Sequence, residues 1–349
     1  MRVLVTGNNG YIGTVMTRML LSEGFKVSGL DSDLFERSIF SDASVTGGIP
    51  SMSYLRKDLR DVILSDLKNV DAIIHLCALS NDPLGNINPE LTYEINYKGS
   101  VRLAKLAQKA GIQKFVFSSS CSVYGASKED VVSEESEVNP ITPYAISKVR
   151  AEQSISKLAN SDFCPTFLRS STAYGLSPML RFDLVVNNFV AWSFTKGTVL
   201  LKSDGTAWRP FAHIQDISRA FIAVLKSPVN KVYNQVFNVG QNKENYQIRN
   251  VAEIVKRVVP NSEIRYVKGA EADKRSYQVD FNKISKTLTN FKPEWNVTLG
   301  AEELYGAYKT TGLLVEDFEG PKFRRLFNLE NSIKNGIFDK NLRRIDVKK

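Results

Sequence analysis

Seven residues near the start of the chain, Gly7-Asn8-Asn9-Gly10-Tyr11-Ile12-Gly13, constrain the fold more than any other stretch. They follow the apolar, β-branched run Arg2–Thr6 and open a helix-like pattern over Tyr11–Ser22. Strand, glycine turn and helix in that order set the unsatisfied N–H groups of a helix N-terminus at a strand end, where an anion binds. In the GxxGxxG spacing Gly7 allows the tight turn, Gly10 lets the backbone approach a pyrophosphate, and Gly13 permits close helix-strand packing. With Tyr11 and Ile12 between them, these glycines form a candidate dinucleotide-binding loop, against the alternative of a chance glycine turn.

The pattern then repeats. Strands are expected at Lys26–Asp31, 72–77, 114–118 and 166–169, and helices at 89–110 and 143–158. Alternation of apolar strands with helices predicts an α/β, Rossmann-type doubly wound parallel sheet, with ligands beyond the carboxyl ends of its strands. Beyond residue 170 the pattern loosens, with helices at 183–195, 215–225, Ile248–Val258 and 299–308 and short strands at Thr198–Leu201 and Val236–Val239. The expected organisation is a cofactor-binding domain over 1–170, whose core strands may return from 210–240, and a smaller, partly interleaved substrate region over 171–320. A basic C-terminal helix and tail complete it over 321–349.

That tail carries nine Lys or Arg against three acids, much of the net charge of +9. It matches no known nucleic-acid motif, so it reads as a solvated helix and tail; no nucleic-acid or membrane partner is expected. Cys77, Cys121 and Cys164 form no CxxC pair, and His75 and His213 are the only histidines, so neither a disulfide framework nor a metal site is expected. The short apolar N-terminus reads as a first strand, not a signal peptide, which points to the cytoplasm.

Asp31 closes the second expected strand, eighteen residues after Gly13. An acid there accepts hydrogen bonds from an adenosine ribose and repels an extra phosphate, which favours NAD over NADP; Arg37 is the residue that could reverse this. Tyr144-Ala145-Ile146-Ser147-Lys148 places a tyrosine and a lysine on one helix face. A phenol near pKa ~10 is a poor base at neutral pH, and an adjacent cation corrects that. The strand Phe115-Val116-Phe117 ends in Ser118-Ser119-Ser120, hydroxyls able to hold the oxygen whose proton Tyr144 would take. An exposed helix face and a serine-rich turn are the plain alternatives.

Together these segments resemble the extended short-chain dehydrogenase/reductase family, in its nucleotide-sugar epimerase and dehydratase branch. The resemblance runs to about Leu288 and rests on Gly7, Gly10, Gly13, Asp31, Asp58-Leu59-Arg60, His75-Leu76-Cys77-Ala78, Asn96, the run Ser118 to Gly125, and Tyr144 with Lys148. It implies bound NAD, with Asp58 and Leu59 at the adenine and Ala78 along the cofactor. It also implies a catalytic group of Ser120, Tyr144 and Lys148, with Ser120 chosen by alignment on Val123-Tyr124-Gly125. The segment from Lys202 to Asp216 is similar to the family's nucleotide-diphosphate segment, with Arg209 as phosphate ligand and Arg275 as a second candidate; surface ion pairs are the alternative for both.

Two departures concern the sugar. Leu79 to Gly85, including Ser80 and Asn81, differs from familiar sugar 4-epimerases, and Thr172 stands where the family usually has Asn. All three are candidate substrate-binding residues. Dehydratases of the family carry acids directly after the catalytic hydroxyl residue, where this chain has Cys121 and Ser122. The expectation is therefore an NAD-dependent nucleotide-sugar epimerase working at C4 of a nucleoside-diphosphate sugar. A 4-keto-sugar reductase or a 4,6-dehydratase is the alternative, and a non-catalytic NAD-binding scaffold is the alternative of another class. A homodimer is expected through helices 89–110 and 143–158, with Val101, Leu103, Ala104, Leu106 and Ala107 as its apolar surface unless they pack on the sheet.

Overall fold

The computed structural model describes residues 1–40, 43–80, 88–267 and 275–345. Its centre is a seven-stranded sheet of β1 (Arg2–Thr6), β2 (Lys26–Asp31), β3 (Tyr54–Arg56), β4 (Ala72–His75), β5 (Lys114–Ser120), β6 (Cys164–Ser170) and β7 (Val236–Val239). The order is β7-β6-β5-β4-β1-β2-β3 and every pairing is parallel. The winding reverses between β1 and β4, and that switch point opens a crevice at their carboxyl ends. Strand β4 is two residues shorter than its apolar run suggests, because its pairing with β5 ends at His75↔Phe117. Strand β3 was not legible in the sequence: its three residues are all exposed at the sheet edge, so no period marks it.

Helices cover both faces: α1 (Tyr11–Ser22), α2 (Ser100–Lys109), α3 (Pro143–Ser156), α4 (Val185–Lys196), α5 (Ile214–Lys226), α6 (Ile248–Val258), α7 (Val297–Thr311) and α8 (Arg325–Lys334). The two-residue period of β1 divides the core. Val3 and Val5 meet Met16 and Leu20 of α1 and Phe221 of α5, whereas Leu4 faces Leu103 of α2 and Ala151 and Ile155 of α3. Each fully buried Phe of β5, Phe115 and Phe117, contributes ~1.5–3 kcal/mol of apolar burial. Leu103, Ala104 and Ala107 are fully buried in this core, so three of the five residues considered as a dimer surface pack on the sheet instead. The helix leading into α2 contains a π-helical stretch, Tyr93–Gly99, which carries Asn96.

A third cluster joins α4, α6 and α7 to Tyr11 and Val15 of α1, which seats the second half of the chain against the glycine loop. There Trp208–His213 pairs in parallel with Thr172–Tyr174 and antiparallel with Asn245–Gln247.

The basic C-terminal segment departs from expectation. Through residue 345 it packs across the molecule rather than lying solvated. Phe323 meets Phe40 and Phe182 with ring centroids 6.3 and 5.0 Å apart, and Leu329 and Leu342 are buried beside Leu79, Leu91 and Ile95. Arg343 pairs with Asp61, and Arg344 with Glu36 at 2.9 Å. Apolar residues interleaved with the basic ones provide the driving force for this docking. Among the described residues, no helix is long and apolar enough to cross a membrane.

Candidate active site

The crevice is a cleft of about 920 Å³ lined from both halves of the chain. Gly7, Gly10, Tyr11, Ile12 and Gly13 form one end. Gly7 has φ +77°, and a Cβ on it would lie 2.9 Å from the Cys77 nitrogen. Gly10 caps α1 without a side-chain cap, and no acid stands in the first turn, so the helix N-terminus presents bare N–H groups. Tyr11 does not face a ligand through its hydroxyl: it is buried, and donates to the Gly175 carbonyl at 2.8 Å.

Asp31 sits at the end of β2 and accepts from the Asn9 and Asp33 amides at 3.0 and 2.9 Å. Burial first, and repulsion from Asp33 as well, push its carboxyl up to about 6. Asp33 is itself ion-paired with Arg56 at 2.6 Å. Arg37 is exposed and does not line the cleft. Asp58, Leu59 and Ala78 line the same end. Asp58 caps the short helix Leu59–Asp61 through the Arg60 amide at 2.8 Å and is ion-paired to Arg60 at 2.6 Å, with its pKa lowered by that partner against the cost of burial.

Residues of the expected catalytic group meet on the middle wall. Ser118, Ser119 and Ser120 pair with Leu168, Arg169 and Ser170, so β5 carries its hydroxyls to the rim of the sheet. Thr142 caps α3 and Pro143 occupies its first turn, which places Tyr144 one residue in and Lys148 one turn later on the same side. The Lys148 ammonium lies 5.7 Å from the Tyr144 ring centre and 4.8 Å from that of Phe117, and donates to the Ser118 carbonyl at 2.7 Å. Burial draws its pKa down to about 8, so most of it stays charged at neutral pH. Ser120, Tyr144 and Lys148 all line the cleft. Ser119, Ser122 and Ser170 also belong to this wall, with hydroxyls buried and without a hydrogen-bond partner.

Ser80 and Thr172 line the cleft as well, as do Arg209 and Arg275 at its far end. Arg209 and Arg275, 66 residues apart in sequence, touch: Arg209 donates to the Arg275 carbonyl, and its guanidinium stands over the Tyr277 ring at 5.4 Å. Asn81 lies outside the described residues, as do Asp82, Pro83, Leu84 and Gly85. Asp216 is not in the cleft; it accepts from the Glu294 and Trp295 amides at 2.9 Å and fixes that turn. His75 is a core residue between Thr6 at 2.6 Å and Ser100 at 2.8 Å, held neutral by burial with its pKa down to about 3.

One residue of this wall carries no signal in the sequence. Arg181 lines the cleft, pairs with Asp183 at 2.7 Å and donates to the Ser80 hydroxyl at 3.0 Å, so it holds Ser80 in place on this flank. No motif marks it. Asn96 lies beneath the wall. It accepts from the Leu79 amide at 2.8 Å and donates to the Leu79 carbonyl at 3.0 Å, bracing the segment that carries Ala78 and Ser80.

The glycine cradle, the bare helix N-terminus and the strand-end carboxylate fit NAD. Comparison with known proteins agrees. The profile of the NAD dependent epimerase/dehydratase family matches residues 3–240. A UDP-glucuronate 4-epimerase of Thermodesulfobacterium geofontis is 27% identical over 308 residues, 85% of this chain and 93% of that protein. A UDP-glucose 4-epimerase of Mycolicibacterium smegmatis is 30% identical over 250 residues, 70% of this chain and 78% of that one. The crystal structure of UDP-glucuronic acid 4-epimerase from Bacillus cereus, in complex with UDP-glucuronic acid and NAD, superposes with a TM-score of 0.75. It is 25% identical and covers 89% of this chain and all of that one. Fold, cofactor cradle and sequence match converge on one assignment: the chain belongs to the NAD dependent epimerase/dehydratase family.

Proposed function

We propose that the protein is an NAD-dependent 4-epimerase of a nucleoside-diphosphate sugar, with a UDP-sugar as substrate. One observation carries this reading. A single cleft holds Ser120, Tyr144 and Lys148 on its middle wall and paired arginines at its far end, and no acid follows Ser120. In place of that acid, Cys121 is buried and donates to the Arg169 carbonyl at 3.1 Å, and Ser122 carries only a hydroxyl. Among the described residues, the carboxylates lining the cleft are Asp31, Asp33, Glu36 and Asp58 at the cofactor end, and Asp183, which Arg181 holds. Elimination of water needs an acid and a base at neighbouring carbons, so a dehydratase is poorly served here.

Gly7, Gly10, Tyr11, Ile12, Gly13, Asp31, Asp58, Leu59 and Ala78 would hold the cofactor, with Lys148 at its ribose. Bound NAD supplies reversible acceptance and return of the C4 hydride. Tyr144 takes the proton of the C4 hydroxyl and gives it back, and the Ser120 hydroxyl holds that oxygen while its charge changes. The Lys148 cation stabilises the ionised phenol electrostatically, in a site where burial strengthens the interaction. Ser80 and Thr172 flank the sugar, and Arg209 and Arg275 bind the diphosphate with paired charge-assisted bonds. In this reading residues 1–170 hold NAD and 171–320 enclose the nucleotide sugar.

We further place the protein in the cytoplasm as a homodimer. The free thiols of Cys77, Cys121 and Cys164 suit a reducing compartment. With Leu103, Ala104 and Ala107 turned inward, the dimer would use the outer faces of α2 and α3. Light scattering at micromolar concentration should return twice the chain mass of 39.1 kDa.

The test of the reaction is a screen of UDP-, dTDP-, GDP- and CDP-sugars by NMR, with the copurified nucleotide released by denaturation and identified by mass spectrometry. The expected result is a C4 epimer formed from a UDP-sugar without net reduction of added NAD. Arg209→Ala should raise the KM for that sugar roughly tenfold to a hundredfold. Oxidation of a free sugar or simple alcohol with stoichiometric NADH, and no nucleotide-sugar turnover, would reject the proposal.

A further inference from the structure

The C-terminal segment crosses the cofactor end of the cleft, and two of its residues, Arg325 and Leu342, line it. It is anchored on both sides of that crossing. Before it, the Ser38 hydroxyl donates to the Lys322 carbonyl at 2.7 Å, and Phe323 is buried in the aromatic cluster with Phe40 and Phe182. After it, Arg60 donates to the Asn341 carbonyl at 2.9 Å and Arg343 lies 3.7 Å from Asp58. The segment is thus tied to the same Asp58-Arg60 pair that borders the adenine end of the cleft.

Arg325 is the first residue of α8. Its guanidinium stacks over the Phe35 ring at 4.2 Å, which fixes its direction. None of the described carboxylates lies within ion-pair distance of it. Arg181 is its strongest charged neighbour, and the opposing fields of Asp183 and Asp31 come after it. Desolvation in the cleft, and then that neighbour, lower the guanidinium pKa below its ordinary range. The same cleft is lined by the glycine loop, with the bare N–H groups of α1. Two anion-seeking surfaces from opposite ends of the chain therefore share one space, on the side of Asp31 and Phe35.

We infer that Arg325 is a ligand of the NAD diphosphate, closing over it from the side opposite the glycine loop, and that residues 321–345 form a strap retaining the cofactor. The inference rests on the use of NAD but not on the identity of the sugar. Its consequence is a cofactor that stays with the enzyme through turnover, which suits a reaction whose hydride returns to the same substrate.

The test uses full-length protein freed of nucleotide, as wild type, Arg325→Gln and Arg325→Lys, with NAD, ADP, adenosine and UDP as probes. Calorimetry gives the affinities for NAD, ADP and UDP, and ligand-observed NMR gives that for adenosine. Arg325→Gln should weaken NAD and ADP by roughly tenfold to a hundredfold, since both carry the diphosphate. Adenosine and UDP should stay within about twofold, and Arg325→Lys should fall between. Arg325 is partly exposed, so the variants are expected to fold, and circular dichroism checks this. Unchanged NAD binding overturns the inference, as does an equal loss for adenosine, which would make the role structural. Loss of UDP alone would move the arginine to the substrate's diphosphate and overturn it too. If the wild type binds neither NAD nor ADP, the cofactor assignment itself fails, an outcome separable from the others.

Discussion

Gly13→Ala tests the cofactor cradle with the smallest possible change. A Cβ on Gly13 would stand 2.0 Å from the Gly7 carbonyl oxygen and 2.8 Å from the Asn8 Cα, both backbone atoms of the loop. Carbon contacts are favourable only from about 3.5 Å, so α1 must retreat from the loop by on the order of 1 Å. Overpacking of that kind costs ~1–3 kcal/mol of stability. The retreat also pulls the N–H groups of α1 away from the diphosphate, and each charge-assisted bond lost is ~1.5–3 kcal/mol. One such loss raises the Kd for NAD about tenfold to a hundredfold. Gly306 is the internal control: it is exposed in α7, and a Cβ there meets nothing within 4 Å. Gly306→Ala should stabilise the fold by ~0.5–1 kcal/mol through helix propensity and leave NAD binding alone. Calorimetric titration and thermal melting of both variants separate the two effects. A Gly13→Ala protein that binds NAD as the wild type does would show that α1 does not receive the diphosphate as argued.

Tyr144→Phe should keep the fold and NAD binding but lower turnover of the true substrate by ~10²–10⁴, with Ser120→Ala milder; near-normal turnover in Tyr144→Phe would reject the proton-transfer role. Asp31 carries a pH signature. Its carboxyl is raised to about 6 in the folded protein, so between about 4 and 6 the folded state holds a proton that the unfolded state has released, and NAD-free stability should fall as pH rises through that window. Melting curves across the window should show this slope in the wild type and lose it in Asp31→Asn; identical slopes would remove Asp31 as its source. NAD should also bind more tightly than NADP, since Asp31 lines the cleft and Arg37 does not, and equal affinities in calorimetry would count against that preference.

What the chain alone determined was local. The glycine loop, Asp31, the serine run and the Tyr144-Lys148 pair were legible because a strand end and the helix after it are contiguous in sequence. The spacing of a few residues then sets their geometry. The parallel sheet was legible for a similar reason, since period and alternation are properties of short windows. Packing decided the rest. Leu103, Ala104 and Ala107 offered an apolar stripe that suited either a partner or the sheet, and only the position of Leu4 and Phe115 beneath them assigns it to the sheet. Arg181 and Arg325 carry no motif. They reach the cleft because the chain returns to it after long excursions, and sequence distance says nothing about where a return path ends. The basic tail read as solvated because its charge was weighed over its whole length. In the folded protein its apolar residues, Phe323, Leu329 and Leu342, find buried partners that lie more than 200 residues upstream for Leu329 and Leu342, and these contacts draw Arg325 over the cofactor end. Such contacts depend on surfaces that exist only once the sheet and its helices have assembled.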